Sequence, residues 1–170
     1  MRCLLTLIAV AAFVPAGVKA QNSVTLKATV SETVTLSTPE SMGAVSNLVR
    51  VTLPGSDSAV IRVPLLVRSN IGFKITAVFE SATAVLSELS VADVQATGRL
   101  VSPQIVNAVH AEPQLNPNTS QPLLVVSGPR VSLGGTLNSP DNALKITLLI
   151  RLKQPTPDPI QLILVGTKQL

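Results

Sequence analysis

Apolar residues recur at every second position in segment after segment of this 170-residue chain, and this two-residue period constrains the fold more than any other feature. Successive side chains of a β-strand point to opposite sides, so the pattern predicts strands with one buried and one solvent-facing side. The longest example covers residues 24–36, and its apolar positions begin with Val24, Leu26, Ala28 and Val30. Glu32 interrupts this series, so we expect a bend or bulge near residues 31–32.

Further strand-like segments follow, separated by residues that favour turns. They cover residues 48–53, 59–68, 71–79, 123–126, 131–137, 143–152 and 160–165. Pro64 cannot donate a ladder hydrogen bond, which predicts a sheet edge or a bulge at that position. Ser69 and Asn70 separate the third and fourth of these segments, which predicts a β-hairpin with Asn70 able to take a left-handed conformation.

The segment 82–96 fits two patterns. Val85, Leu89, Ala92 and Ala96 have helical spacing, whereas Val91 and Val94 fit a strand equally well. We expect a short strand pair with a helical turn. Five prolines between residues 103 and 129 indicate loops and short strands, and Gly134-Gly135 indicates a bulge or a close backbone approach.

Eight to ten short strands without intervening helices predict an all-β fold, an immunoglobulin-like β-sandwich of antiparallel strands. Alternating strand and helix patterns are missing, which disfavours a parallel α/β sheet. The single predicted domain covers residues 21–170.

The first twenty residues have the features of a cleaved, helical secretory signal peptide. Arg2 precedes a short apolar run over residues 3–14, and Val18-Lys19-Ala20 suits signal peptidase. We expect cleavage after Ala20 and export to the periplasm, cell surface or exterior of a bacterium, with no transmembrane span after processing. The alternative is a retained N-terminal anchor, although the apolar run is short for one.

Composition limits the chemistry of the processed domain. Cys3 is the only cysteine and would be lost with the signal, so we expect no disulfide. The chain has no tryptophan or tyrosine, and its basic residues are scattered, which argues against nucleic-acid partners and against a lectin surface. No pattern of cofactor-binding or metal-binding residues occurs, and we predict neither.

A catalytic site is not predicted. His110 is the only histidine, and no nucleophile motif accompanies it. A hydrolase using His110 as a general base is the weakest of three hypotheses.

The segment from Val24 to Val30 resembles the first strand of secreted bacterial immunoglobulin-like subunits, namely chaperone–usher pilins and related surface-coat proteins. The turn from Arg68 to Phe73 and the segments 131–137 and 143–152 are similar to later strands of those proteins. The cysteine pair and the C-terminal tyrosine motif common in pilins are absent. The resemblance implies assembly into a surface polymer, and it transfers no binding residue.

The leading functional hypothesis is a non-enzymatic structural or adhesion-type surface subunit that acts through strand edges and sandwich surfaces. Its partners would be copies of itself or other surface subunits. The first predicted strand can pair within its own domain, as most first strands do, or complete the sheet of a neighbouring subunit. Strand exchange of the second kind would use one alternating set, Val24, Leu26, Ala28 and Val30. The alternative is a secreted binding module for a glycan, small ligand or protein, with a binding loop that includes Asn116, Asn118 and Gln121.

Overall fold

The computed structural model describes residues 32–41, 46–99, 101–131 and 142–169, which all belong to one compact unit, Ser31–Leu170. The predicted signal peptide and the segment Val24–Val30 lie outside the described residues. Within them the chain forms two antiparallel five-stranded sheets, so the all-β prediction is confirmed.

We call the two sheets sheet A and sheet B. Sheet A has the order β1 (Val34–Ser37), β3 (Val60–Ser69), β9 (Leu144–Leu152), β5 (Leu86–Ala96) and β7 (Gln114–Leu115). Sheet B has the order β2 (Leu48–Leu53), β10 (Ile160–Lys168), β4 (Phe73–Glu80), β8 (Leu123–Gly128) and β6 (His110–Ala111). A 3-10 turn, η1 (Pro39–Ser41), and a short helix, α1 (Pro103–Asn107), complete the described elements.

The core lies between the two sheets and follows the two-residue period. Alternate residues of β9 and β10 are fully buried, and they are Leu144, Ile146, Leu148, Ile150, Ile160, Leu162 and Leu164. Phe73 and Phe79 are the only buried aromatic residues among those described, so branched aliphatic side chains fill most of the core. Burial of each such side chain contributes about 1.5–3 kcal/mol to folding before entropy is counted.

The predicted hairpin between the third and fourth segments is wrong. β3 pairs with β1 and β9 in sheet A, whereas β4 pairs with β10 and β8 in sheet B. The link at residues 70–72 therefore crosses from one sheet to the other. Asn70 does not take a positive φ, and it extends the β1–β3 ladder by donating its N–H to the carbonyl of Thr33 and accepting the Thr33 N–H on its side-chain oxygen. An alternating pattern shows which side of a strand is buried but not which sheet receives the strand.

Most of the ambiguous segment 82–96 is one long strand, β5, which begins at Leu86, rather than a strand pair with a helical turn. Its register shifts between Leu86 and Glu88 and again between Val91 and Asp93. Each shift inserts an extra residue and moves the buried side by one position, so Leu86 and Leu89 are both buried at a helix-like spacing. The interrupted period explains why the sequence fitted two patterns.

Elsewhere the strand predictions agree closely with the described elements. β2 has the predicted bounds, and β8, β9 and β10 differ from the predicted segments by one to three residues at an end. The helix α1 lies in the region predicted to be loops and short strands. It begins at Pro103, a position where a backbone N–H would have no acceptor within the helix, so the N–H that proline lacks is not needed. Of the segment 131–137, only Val131 is described, and Gly134-Gly135 lies outside the described residues.

Candidate interaction surfaces

The outer face of sheet A mixes charged and apolar residues. Residues paired across its ladders share this face, and its solvent-accessible charged residues are Arg62, Glu88, Asp93, Lys145 and Arg151. Its apolar residues each lie opposite a polar or charged one, and they are Val60, Pro64, Leu66, Leu115 and Leu149. The Nε atom of Arg151 lies 2.9 Å from a carboxylate oxygen of Glu88, and the Ser90 hydroxyl donates to the other oxygen at 2.7 Å. This is the usual solvent-facing side of an antiparallel sheet.

The outer face of sheet B is different. The side chains that alternate with the core residues of β2, β10, β4 and β8 include five apolar ones, which we call the apolar face, and they are Leu48, Val78, Leu124, Ile163 and Val165. Ile163 lies directly opposite Val78, and Val165 lies opposite Leu48. All five are partly or largely exposed, and none belongs to the apolar residues that pack on the core. Of the described helices, α1 packs on β5 and η1 on β3, so neither lies over this face.

Charged residues border the apolar face along β4. Lys74 and Glu80 lie near opposite ends of the strand and point to the same side as Val78. The ion pairs among the described residues are Arg151–Glu88 and Lys168–Glu32, so neither Lys74 nor Glu80 takes part in one. Arg50 lies in β2, opposite Ile163.

One side of the sandwich leaves two strand edges open. β2 is the outermost strand of sheet B, and β1 pairs with β3 only at residues 66–69, so the first half of β3 has no partner on its outer side among the described strands. In an antiparallel pair, the N–H and C=O groups of alternate residues point towards the partner strand and away from it. In β2 the groups that point away from β10 belong to Leu48, Arg50 and Thr52.

At each of these two edges, one serine hydroxyl forms hydrogen bonds with the first residue whose peptide groups point outward. The Ser46 Oγ atom accepts from the Leu48 N–H at 3.0 Å and donates to the Leu48 carbonyl at 2.8 Å. Ser58 does the same for Val60, at 3.2 and 3.1 Å. In each case one side chain takes the place of a partner strand for one residue.

Pro64 has the edge position that the sequence predicts. It pairs with Thr147 of β9 on one side, while the β1 ladder ends at the pair Ser37–Leu66. At this open edge Pro64 cannot donate a backbone hydrogen bond, because proline has no N–H. The preceding residue with outward peptide groups is the exposed Arg62. Proline and charge on an edge both oppose the addition of a foreign strand.

The opposite side of the sandwich is closed by the segment 110–116. β6 pairs with β8 of sheet B, and β7 then pairs with β5 of sheet A. Between them, the Gln114 side-chain amide donates to the carbonyls of Glu112 and Leu124, at 3.3 and 2.8 Å. The segment therefore links the two sheets.

A cleft of about 550 Å³ lies where β1 meets the end of β10. Its lining includes Thr33, Val34, Asn47, Ile71 and Gly166. The buried hydroxyl of Thr33 has no hydrogen-bond partner in the structure. The Thr33 carbonyl accepts a hydrogen bond from the N–H of Asn70, the residue that follows β3. Because adjacent residues of a strand alternate in direction, the peptide groups of Val34 point away from β3. Lys168 and Glu32 form an exposed ion pair of 3.3 Å beside the cleft.

A buried polar group lies between β1 and β3. Arg68 is 3 % exposed, and its Nη1 atom donates to the Ser37 hydroxyl at 3.5 Å. The Thr35 hydroxyl donates to the Arg68 carbonyl at 3.4 Å. Burial lowers the pKa of Arg68 below its ordinary value by removing water from the guanidinium. These contacts give the group a structural role in joining the two strands.

The predicted binding-loop residues Asn116, Asn118 and Gln121 are all exposed. Asn116 has a φ of 45° and donates its N–H to the Ser87 carbonyl at 2.7 Å. The Asn118 side-chain oxygen accepts from the Ser120 N–H, which forms a local turn. These contacts stabilise the loop itself, and the cleft described above lies elsewhere. The predicted strand-exchange residues, from Val24 to Val30, are outside the described residues.

His110 is exposed in β6 and lies opposite Ser127 of β8, but no hydrogen bond joins the two side chains. Within the described part of the chain, no three histidine, cysteine or acidic side chains gather as metal ligands would. At one tip of the sandwich the Thr83 hydroxyl donates to Asp158 at 2.6 Å and lies 3.0 Å from the Thr156 hydroxyl. This group ties together the loops that meet there.

The sequence analysis missed the apolar face. The signal was present in the run Ile160 to Val165, where apolar residues occupy both alternating series, with only Gln161 as an exception. Strands that are buried on both faces carry apolar residues in both series, so a doubly apolar strand favours a second apolar contact.

Among the described residues no helix is long and apolar enough to span a membrane. Comparison of the chain with protein-family models, with curated proteins and with solved structures gives no match.

Proposed function

We propose that this chain is an exported structural subunit with an immunoglobulin-like fold, which acts through its surfaces rather than through chemistry at an active site. The observation that carries this proposal is a difference in how apolar residues are paired on the two outer faces. On sheet A each outward apolar residue lies opposite a polar or charged one, whereas on sheet B Ile163 lies opposite Val78 and Val165 opposite Leu48, on a face that no described helix covers.

Energetics favour contact at the apolar face. Removing apolar surface from water is favourable by about 25 cal/mol per Å² before the entropic cost of association is counted. Contiguous apolar patches on soluble domains are typical of interaction sites. The same face lies beside β2, whose residues Arg50 and Thr52 have outward peptide groups without a partner among the described strands. A partner can therefore contact both the face and the edge.

The predicted signal peptide is consistent with this role. A signal peptide over residues 1–20 would deliver the domain to the periplasm, the cell surface or the exterior of a bacterium, where subunits of surface polymers assemble. Strand exchange through Val24, Leu26, Ala28 and Val30 would add backbone hydrogen bonds to the surface contact. The outward peptide groups of Val34 beside the cleft offer one position for an added strand.

The test is a matched pair of charge insertions. Ile163→Lys places a charge on the apolar face, and Leu149→Lys makes the same change on the outer face of sheet A. Both residues are partly exposed in long internal strands, so their effects on folding should be similar. We expect Ile163→Lys to abolish assembly into a surface polymer in cells lacking the wild-type chain, while Leu149→Lys retains it. Thermal melting should show that both variants fold. Normal assembly by Ile163→Lys would refute the proposal.

A secreted binding module is the second candidate, and the cleft is the observation that favours it. Its volume is within the range of small-ligand sites, and its wall contains Thr33, whose buried hydroxyl has no hydrogen-bond partner and would gain one if a ligand displaced its surroundings. Thr33→Val keeps the shape of the side chain and removes the hydroxyl. If ligand screening finds a binder whose affinity is unchanged in this variant, the cleft is not its site.

A further inference from the structure

The arrangement of charge and apolar side chains on sheet B is self-complementary. We propose that the apolar face binds a second copy of this chain face to face, through a two-fold axis that crosses the strands at the level of Ala77. This inference rests on the proposed function and names the partner of the same surface.

The two-fold operation determines which residues meet. An axis in the plane of the interface and perpendicular to the strands places each strand over its own copy in the opposite direction. The level of Ala77 is midway between Lys74 and Glu80 in β4. Lys74 of one copy then faces Glu80 of the other, and symmetry produces this pair twice.

The same operation pairs the apolar residues. Val78 and Ile163 lie one position to one side of the axis, whereas Thr76 and Val165 lie one position to the other side. Ile163 therefore faces Val165 of the second copy, and Val78 faces Thr76. The centre of the interface is apolar and its two ends are charged, as in protein interfaces generally.

Arg50 does not oppose this arrangement. It pairs with Ile163 across the β2–β10 ladder, and Leu48 pairs with Val165, so the axis places Arg50 over Leu48 of the second copy rather than over another arginine. The aliphatic part of an arginine can cover an apolar neighbour while its charged group remains in water. Because β2 is an edge strand, that water is adjacent.

Sheet twist does not separate the charged pair. Packed sheets cross at about 30°, which displaces residues about 10 Å from the axis by about 5 Å. Lysine and glutamate side chains together span that displacement. Since neither Lys74 nor Glu80 forms an ion pair with another described residue, both charges are available to the second copy.

Charge reversal with mixing tests the two-fold arrangement. Glu80→Lys alone places lysine opposite lysine twice, and Lys74→Glu alone places glutamate opposite glutamate twice. A mixed dimer of the two variants has both pairs attractive again. We expect each variant alone to dimerise about tenfold more weakly than wild type, since two exposed pairs are changed at up to about 1 kcal/mol each. An equimolar mixture should recover wild-type affinity.

The measurement is sedimentation equilibrium on protein purified from cells that express the full chain, at low salt, with thermal melting as the check on folding. Asp93→Lys on the outer face of sheet A is the control for a change of charge alone, and its dimerisation should equal that of wild type. A monomeric wild-type protein at millimolar concentration would overturn the proposed dimer. So would variants that dimerise weakly both alone and when mixed.

The two proposals can fail separately. If mixing gives no recovery but Ile163→Lys still abolishes surface assembly, the apolar face contacts a different partner, and only the two-fold pairing is wrong. If Ile163→Lys assembles normally, the surface role of this face fails with it.

Discussion

Gly166 in β10 lies directly against Val34 in β1, so closely that a Cβ atom on Gly166 would be 2.8 Å from Cγ1 of Val34. The same Cβ would lie 3.2 Å from Cγ of Leu36. The absence of a side chain at position 166 therefore lets the first described strand of sheet A approach the last strand of sheet B. The cleft opens beside this contact, so the glycine determines the position of its wall.

Gly166→Ala should destabilise the fold by about 1–3 kcal/mol, because overpacking a well-filled site displaces its neighbours. Chemical denaturation measures the loss. Gly72→Ala is the matched control, since its Cβ would meet the nearest atom at 3.4 Å and should be tolerated. Val34→Ala in the Gly166→Ala background should recover part of the loss. Equal stability of the two single glycine variants would contradict the contact.

Replacing Arg62 and Pro64 together by threonine should open the free edge of β3. The double variant has an N–H at position 64 and no charge at position 62, so a second chain can pair there. We expect new oligomers in sedimentation velocity at concentrations where wild type gives none of that size. Pro122→Thr, at an exposed loop position, is the control. Unchanged sedimentation of the double variant would show that these residues do not protect the edge.

The hydroxyls of Ser46 and Ser58 should protect single residues at the two edges. Ser58→Ala leaves the Val60 N–H and carbonyl to water, and we expect faster hydrogen exchange at that amide. Because the site is exposed, stability should fall by no more than about 1 kcal/mol. Ser46→Ala should act in the same way on Leu48. Ser120→Ala, in an exposed turn, should leave both amides unchanged, and protection that persists in the serine variants would disprove this role.

Asn116→Gly should stabilise the fold by up to about 1 kcal/mol. Asn116 has a φ of 45°, a conformation that glycine adopts without the steric cost of a Cβ atom. Asn118→Gly is the comparison, since it removes the side-chain oxygen that accepts from Ser120 and should give no gain. Thermal melting of the two variants decides the point. A loss of stability in Asn116→Gly would show that its side chain contributes more than its backbone strain costs.

Pro64 and the segment Leu48–Leu53 show how far local reasoning reaches. A residue without an N–H has to lie where no partner strand needs one, and an alternating run between turn residues has to be a strand. Both statements depend only on covalent chemistry and on the two-residue period. The apolar face could also have been anticipated from the doubly apolar run of β10, although its extent needed the neighbours of that strand.

The all-β class, the positions of most described strands and the buried side of β3, β4 and β9 were determined by the sequence itself, because side-chain alternation is a local property of an extended backbone. Only the tertiary structure decided which strands pair, that β3 and β4 belong to different sheets, and that Lys74, Val78 and Ile163 share one surface. Pairing brings together residues far apart in the chain, and its free energy depends on how whole sheets fill the core, which no single segment encodes.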